Sequence, residues 1–237
     1  MTSRDAFAAT MLVLRDPGEL FALRHTLDPR ALHAGVHAWV ERLDPVSVAP
    51  LARSADLAGG PFWPGGMAAH ANGSLYVVFG RHCHRLGADL AVQAPRELPR
   101  DRPYNSFVIL DDGVLVMKDI GHDSPEPALL SVLEANLEPA CEPVAVPERS
   151  IARLSADGNT VYVVGDTSIF RFHWHPAARR LVRDDAWQFR YRTERGQSYA
   201  WDPVLAGGHA WFMDNGDHDY VTAMLGAGRA PGAIHLF

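Results

Sequence analysis

The sequence predicts an all-β chain of the β-propeller type, with about five four-stranded units after a short, partly helical N-terminal segment, on three observations. First, a glycine turn between strand-like runs recurs: Ala71-Asn72-Gly73-Ser74 precedes Leu75-Tyr76-Val77-Val78, and Asp111-Asp112-Gly113 precedes Val114-Leu115-Val116-Met117. It returns as Ala156-Asp157-Gly158-Asn159 before Val161-Tyr162-Val163-Val164 and as Gly207-Gly208 before Ala210-Trp211-Phe212-Met213. The glycines at 73, 113, 158 and 208 lie 40, 45 and 50 residues apart, a period that fits blades. Second, Asn-Gly and Asp-Gly supply the positive φ that tight hairpin turns need. Third, Tyr and Val fill both faces of Leu75–Phe79 and Val161–Val164, as in sheets packed between neighbours.

Taken in chain order, residues 1–32 form a separate N-terminal segment and 33–237 the propeller-like domain. In the N-terminal segment Phe7, Met11 and Leu14 share a helical face, and Glu19 to Arg24 reads as a second short helix before Asp28-Pro29. The first, divergent unit runs from Val36–Val40 to Val46–Leu51. The second, about 62–98, holds Leu75–Phe79, Cys83–Leu86 and Leu90–Gln93. The third, about 104–148, holds Ser106–Leu110, Val114–Lys118 and Leu129–Leu133. The fourth, about 150–190, holds Ile151–Leu154, Val161–Val164, Ile169–Phe172 and Trp187–Phe189. The fifth, from about 199, holds Trp201–Leu205, Ala210–Met213 and Ala233–Phe237. Because the last strand arrives without a closing segment, the front part of a longer propeller is favoured over five closed units.

Composition narrows the function classes. Of 237 residues, 47% are hydrophobic and 21% charged, which is a folded globular chain. A net charge of -6, with arginines scattered among acids, argues against nucleic acid and anionic membrane as partners. The two cysteines, Cys83 and Cys141, read as buried free thiols. The apolar run Ala6–Leu14 is too short to span a bilayer and lacks a small-residue cleavage site, so the location expected is cytoplasmic.

The runs Gly73-Ser74-Leu75-Tyr76-Val77-Val78 through His84-Arg85-Leu86, and Gly158-Asn159-Thr160-Val161-Tyr162-Val163-Val164 through Phe170-Arg171-Phe172, resemble the repeats of quinoprotein-like and gluconolactonase/regucalcin-like propellers. The resemblance covers roughly residues 33–237 and implies a fold rather than a reaction. In the lactonase group it implies a divalent cation, calcium or similar, held by Glu, Asn and Asp at inner-strand starts. Asn105 and Asp202 stand at comparable points, without the glutamate, and no residue is assigned to an organic cofactor.

One local echo adds chemistry. Met117-Lys118-Asp119-Ile120-Gly121-His122-Asp123 aligns without gaps with Met213-Asp214-Asn215-Gly216-Asp217-His218-Asp219, just after the second strand of units three and five. Imidazole beside carboxylate serves as a general base or an oriented metal ligand. The bland alternative is that His-Asp merely hydrogen-bonds its own turn. His122 and His218 are therefore the candidate catalytic bases, and Asn105, Asp119 and Asp202 the candidate metal ligands. Two His-x-His pairs, His82/His84 and His173/His175, place imidazoles on one strand face, but strand phase sets them at different blade positions, with His173 and His175 in the hairpin before Pro176, and neither has a third ligand. Aromatic residues at Pro61-Phe62-Trp63-Pro64 and Tyr199-Ala200-Trp201-Asp202 fit either an apolar pocket or packing between blades.

The expected function is a propeller with a small-molecule or divalent-cation site on one face, with metal-dependent hydrolase or lactonase-like chemistry. The alternatives are a non-enzymatic scaffold for a protein partner and a quinoprotein-like redox subunit.

Overall fold

A computed structural model describes residues 8–15, 17–26, 37–58, 64–93, 95–120, 124–193, 202–206, 209–214 and 233–236. Every regular element among them is a β-strand, apart from one 3-10 turn at Pro176–Ala178. The strands are β1 (Ala8–Arg15), β2 (Glu19–His25), β3 (Ala38–Leu43), β4 (Pro50–Arg53), β5 (Pro64–Ala69), β6 (Leu75–Phe79), β7 (His82–Leu86) and β8 (Arg96–Glu97). They continue as β9 (Tyr104–Ile109), β10 (Leu115–Asp119), β11 (Leu129–Leu133), β12 (Val144–Ala145), β13 (Ser155–Asp157), β14 (Thr160–Val164), β15 (Ser168–His175) and β16 (Arg180–Arg190). The last are β17 (Val204–Ala206), β18 (His209–Asp214) and β19 (Ala233–Leu236).

Hydrogen bonding groups them into sheets β1-β2-β3-β4, β5-β6-β7-β8, β9-β10-β11-β12 and β13-β14-β15-β16, with β17-β18-β19 as a fifth of three described strands. Every sheet is an up-and-down meander in which each strand pairs with its chain neighbour, and this is a β-propeller fold. The chain divides into two compact units, Met1–Phe107 and Val108–Phe237.

Within the first unit, Phe21, Leu23, Ala38 and Val40 of the first sheet pack against Met67, Leu75, Val77 and Phe79 of the second, all nearly inaccessible. Within the second unit, Val114, Val116, Leu130 and Val132 pack against Val161, Val163, Phe170 and Phe172. Phe212 of β18 then joins Ala152, Val164 and Ile169. Each large apolar side chain buried in this way contributes about 1.5–3 kcal/mol.

The glycine turns behave as the sequence predicts. Gly73, Gly113 and Gly158 have φ of 83°, 84° and 56°. In the first two, the residue opening the loop bonds across it: His70 N–H to Ser74 O at 2.9 Å, and Leu110 N–H to Val114 O at 2.9 Å. Asn72 Oδ1 and Asp112 Oδ1 accept the N–H two residues on. The same loop follows β7 and β11, inside the isolated bridges Leu86–Val92 and Leu133–Pro139, with leucine in the glycine's place. Leu90 (φ 64°) follows Asp89, Leu137 (φ 70°) follows Asn136, and those carboxylate and amide oxygens accept the N–H of Ala91 and Glu138. The Asx side chain, rather than glycine, is the constant of this loop. Gly158-Asn159 is a shorter variant, a two-residue turn between paired Asp157 and Thr160.

Four expectations need correction. Residues 8–15 and 19–25 are not helical: they form a hairpin, β1 with β2, joined through Pro17-Gly18 (Gly18 φ 85°) and completing a four-stranded sheet with β3 and β4. Met11 and Val13 point into the core while Leu12 and Leu14 are exposed, a period of two that stays invisible because both faces are apolar. Residues 90–93 and 151–154 form no strand. The first set carries only an isolated bridge, Leu86 to Val92, and the second leads into β13. His173 and His175 lie inside β15, not in the hairpin after it, because Trp174 and His175 pair with Leu181 and Arg180 across the 3-10 turn. The echoed motif begins inside β10 and β18 rather than after them.

Candidate functional site

Strand β10 reads Leu115-Val116-Met117-Lys118-Asp119, and all five residues are buried. A lysine next to an aspartate, each with no accessible surface, breaks the apolar pattern at the strand's end. Burying charge is costly unless each group finds partners. The Lys118 ammonium donates to Ser150 O at 2.9 Å and to Asp119 O at 3.2 Å. Asp119 Oδ1 accepts the N–H of Leu129 at 2.5 Å, holding the first residue of β11 to the last of β10. Burial lowers the Lys118 pKa from 10.5 to about 7, and the charges of Asp119 and Asp202 resist that fall.

The chain positions the second carboxylate from another sheet. Asp202, two residues before β17, accepts the N–H of Arg153, two residues before β13. The Ser155 hydroxyl donates to Pro203 O nearby, and the Ser150 hydroxyl donates to Val164 O at 2.6 Å. Lys118, Asp119, Ser150 and Asp202 thus tie the end of β10 to the segments that enter β13 and β17. Beside them, Glu148 accepts the N–H and hydroxyl of Thr167 at 2.7 and 2.6 Å, and Arg149 pairs with Asp166 at 3.1 Å. These bonds fix the connection from β12 to β13.

Of the candidate residues, Asp119 and Asp202 both oppose the lowering of the pKa of one buried ammonium, that of Lys118. Asn105 is the second residue of β9, and its side chain lies outside the described part of the structure. His122 and His218 lie outside the described residues, as do the aromatic runs 61–63 and 199–201. In the chain His122 stands three residues after Asp119. Among the described residues, no group of three or more His, Cys, Asp or Glu side chains is arranged to hold a metal ion. Sequence reasoning passes over Lys118 and Ser150. A signal exists for Lys118, a lone cation ending the apolar run Val114–Met117. Ser150 contributes a backbone carbonyl and carries no signal.

The two His-x-His pairs fare differently. His173 contacts Thr160 Oγ1 at 3.2 Å and Asp184 Oδ2 at 3.4 Å, while His175 is exposed. His84 is wholly buried, with Nε2 2.6 Å from Ala58 O. Both cysteines are free thiols. Cys83 is buried, which pushes its thiol far up, and Cys141 is half-buried. No helix among the described residues is long and apolar enough to cross a membrane.

Comparison with known proteins shows the fold alone. A protein from Lactobacillus plantarum superposes with a TM-score of 0.62 at 15% identity, covering 86% of this chain and 63% of its own. A chain from a structure of the mitotic checkpoint complex gives 0.60 at 10% identity, with coverages of 86% and 58%. A catalytically inactive histidine-to-alanine form of virginiamycin B lyase from Staphylococcus aureus, solved with quinupristin, gives 0.54 at 12%, with coverages of 89% and 79%. The chain therefore spans about three fifths of the length of the first two solved structures it matches. No family model and no curated protein matches it.

Proposed function

We propose that the protein is a small-molecule-binding β-propeller whose site is built on Asp119, Asp202 and the buried Lys118, with His122 and His218 as the bases of a hydrolase or lactonase-type reaction. The observation that carries this is Lys118. An apolar side chain fills the same strand position in β6, where Val78 is buried without any hydrogen-bonding requirement. A fully desolvated ammonium beside two carboxylates is a costly substitute for packing, and such groups concentrate where chemistry is done. Its charge does for Asp119 and Asp202 what a divalent cation does in lactonase-like propellers. In the sequence His122 follows Asp119 by three residues, within the same echo that contains His218. The virginiamycin B lyase structure supports the reading by analogy, as a neighbour whose histidine-to-alanine form is inactive.

The test is turnover of a panel of lactones and esters by wild type, His122→Ala and His218→Ala, with thermal shift on the same compounds. At least one compound is turned over, and one histidine variant loses at least about 100-fold in kcat, the scale of general-base catalysis. Absence of both turnover and stabilisation across the panel overturns the reading. Calcium, magnesium, manganese and zinc enter as separate arms. A metal-dependent rate adds a cation at Asn105, Asp119 and Asp202, and a metal-independent rate leaves the charge to Lys118.

A second reading, a scaffold for a protein partner, draws on the first sheet. Leu12 and Leu14 of β1 are 62% and 67% exposed on the face opposite the core. An apolar stripe of this kind marks an interaction surface. Replacing both with glutamate abolishes association measured by light scattering if that face binds a partner or a second copy.

A further inference from the structure

The pair His82 and His84 belongs to the first unit, whereas the Lys118 cluster belongs to the second, and neither histidine has a part in the proposed hydrolase site. Both side chains project from the same face of β7, being two residues apart, with ring centroids 6.2 Å from each other. Ala58 O can only accept, so His84 Nε2 at 2.6 Å carries the proton and Nδ1 carries the lone pair. That Nδ1 is buried with no hydrogen-bond partner, and so is Nδ1 of His82. Buried polar atoms are nearly always satisfied, so two orphaned imidazole nitrogens on one strand face call for an occupant.

An imidazole whose second nitrogen donates to a backbone carbonyl is the arrangement that fixes the tautomer of a metal-ligating histidine. Two ring nitrogens, each about 2.0–2.1 Å from one ion, put the ring centroids about 5–6 Å apart, so a small rotation of half-buried His82 brings the pair onto a shared ion. Glu97 is ladder-paired directly opposite His82, so its side chain rises from the same face. It pairs with Arg81 at 3.0 Å and is 61% exposed, and it reaches the ion only by giving up that pairing. Cys83 points to the opposite face of β7 and takes no part. His173 shows the contrast: its two ring nitrogens already meet Thr160 and Asp184.

We propose that His82 and His84 bind a first-row transition dication through their two Nδ1 atoms, copper(II) or zinc by the preference of imidazole, with Glu97 and water completing the coordination. Half-buried His82 is the entrance and fully buried His84 the anchor. Because the site is anchored on imidazole and uses no residue of the Lys118 cluster, it stands or falls independently of the hydrolase reading.

The test loads the metal-free full chain with copper(II) and records pulsed electron paramagnetic resonance, then measures zinc affinity by competition with a chromophoric chelator. Wild type shows one copper per chain with two imidazole nitrogens coupled to it. His82→Ala weakens zinc binding at least tenfold, Glu97→Gln by a few-fold, and His173→Ala leaves it unchanged. Copper coupled to fewer than two imidazoles in wild type overturns the proposal, a measurement that needs no variant to fold. Zinc affinity in His82→Ala equal to wild type, or lost equally in His173→Ala, overturns it as well.

Discussion

Strands β6 and β10 begin alike and end differently. Each comes after the same five-residue Asx turn, each is five residues long, and each is buried along its whole length. Leu75-Tyr76-Val77 and Leu115-Val116-Met117 are interchangeable in character, but the next two residues are Val78-Phe79 in one and Lys118-Asp119 in the other. The length of the connection to the next strand explains the change. Two residues, Gly80-Arg81, return β6 to β7, so Phe79 and His82 close the ladder themselves. Nine residues, 120–128, separate β10 from β11, and the described ladder ends at Lys118 with Leu130. Beyond that pair, the Asp119 carboxylate takes the N–H of Leu129 and the Lys118 ammonium takes Ser150 O. Where the loop widens, side chains replace the ladder, and the charges that do so are also the ones available for chemistry.

Moving the lysine tests this contrast hardest. Val78→Lys places an ammonium in β6 opposite Cys83, at a strand end closed by a tight turn whose carbonyls, Gly80 O and Arg81 O, already accept the N–H of Tyr104 and Leu98. It is expected to cost about 5 kcal/mol and leave no folded protein in a chemical denaturation series. Lys118→Met is the reverse change. It leaves the Asp119 carboxylate buried without its cation and costs about 3 kcal/mol. The double variant Lys118→Met/Asp119→Asn should recover part of that loss, since no uncompensated charge remains.

Titration probes the same difference with a smaller effect. The Lys118 pKa is about 7 in the fold against 10.5 unfolded, so the unfolded chain binds the extra proton between those values. Stability therefore rises with pH from about 7 to 10.5 on account of this residue, and its burial penalty is complete below 7. Subtracting the pH dependence of Lys118→Met from that of wild type, by urea unfolding, isolates the slope. A difference curve that is flat across this window contradicts the assignment. The smallest effect is at the shared turn. Gly73→Ala meets nothing within 4 Å, so only its φ of 83° is penalised, about 1 kcal/mol. A drop of about 2–4 °C in Tm is expected.

The middle of each sheet is legible in the sequence and its margins are obscure. Leu75–Phe79 and Leu129–Leu133 coincide with β6 and β11 because a turn signal or a dense apolar run bounds them. The hairpin of β1 and β2 reads as helix because Met11-Leu12-Val13-Leu14 is apolar on both faces, so no period distinguishes the two. Leu90 and Leu137 hide two turns, since a left-handed leucine gives no warning except the Asp89 or Asn136 before it. Asp119 stands out as a polar residue ending a strand, and Asp202 as one just ahead of another. Lys118 leaves only a faint signal, a lone cation ending an apolar run, because a lysine in sequence reads as solvent-facing and only packing shows that this one is not.

The recurring Asx loop bears on how the chain folds. Each loop links strands adjacent in sequence, so closing it costs little chain entropy and fixes register before distant segments meet. Hairpins of this size form in microseconds. The repeats therefore arrive at sheet assembly as ready-made ribbons, and the slow, error-prone step is the docking of one ribbon's apolar face onto the next. A defect in one loop stays local, delaying its own blade without shifting the alignment of any other.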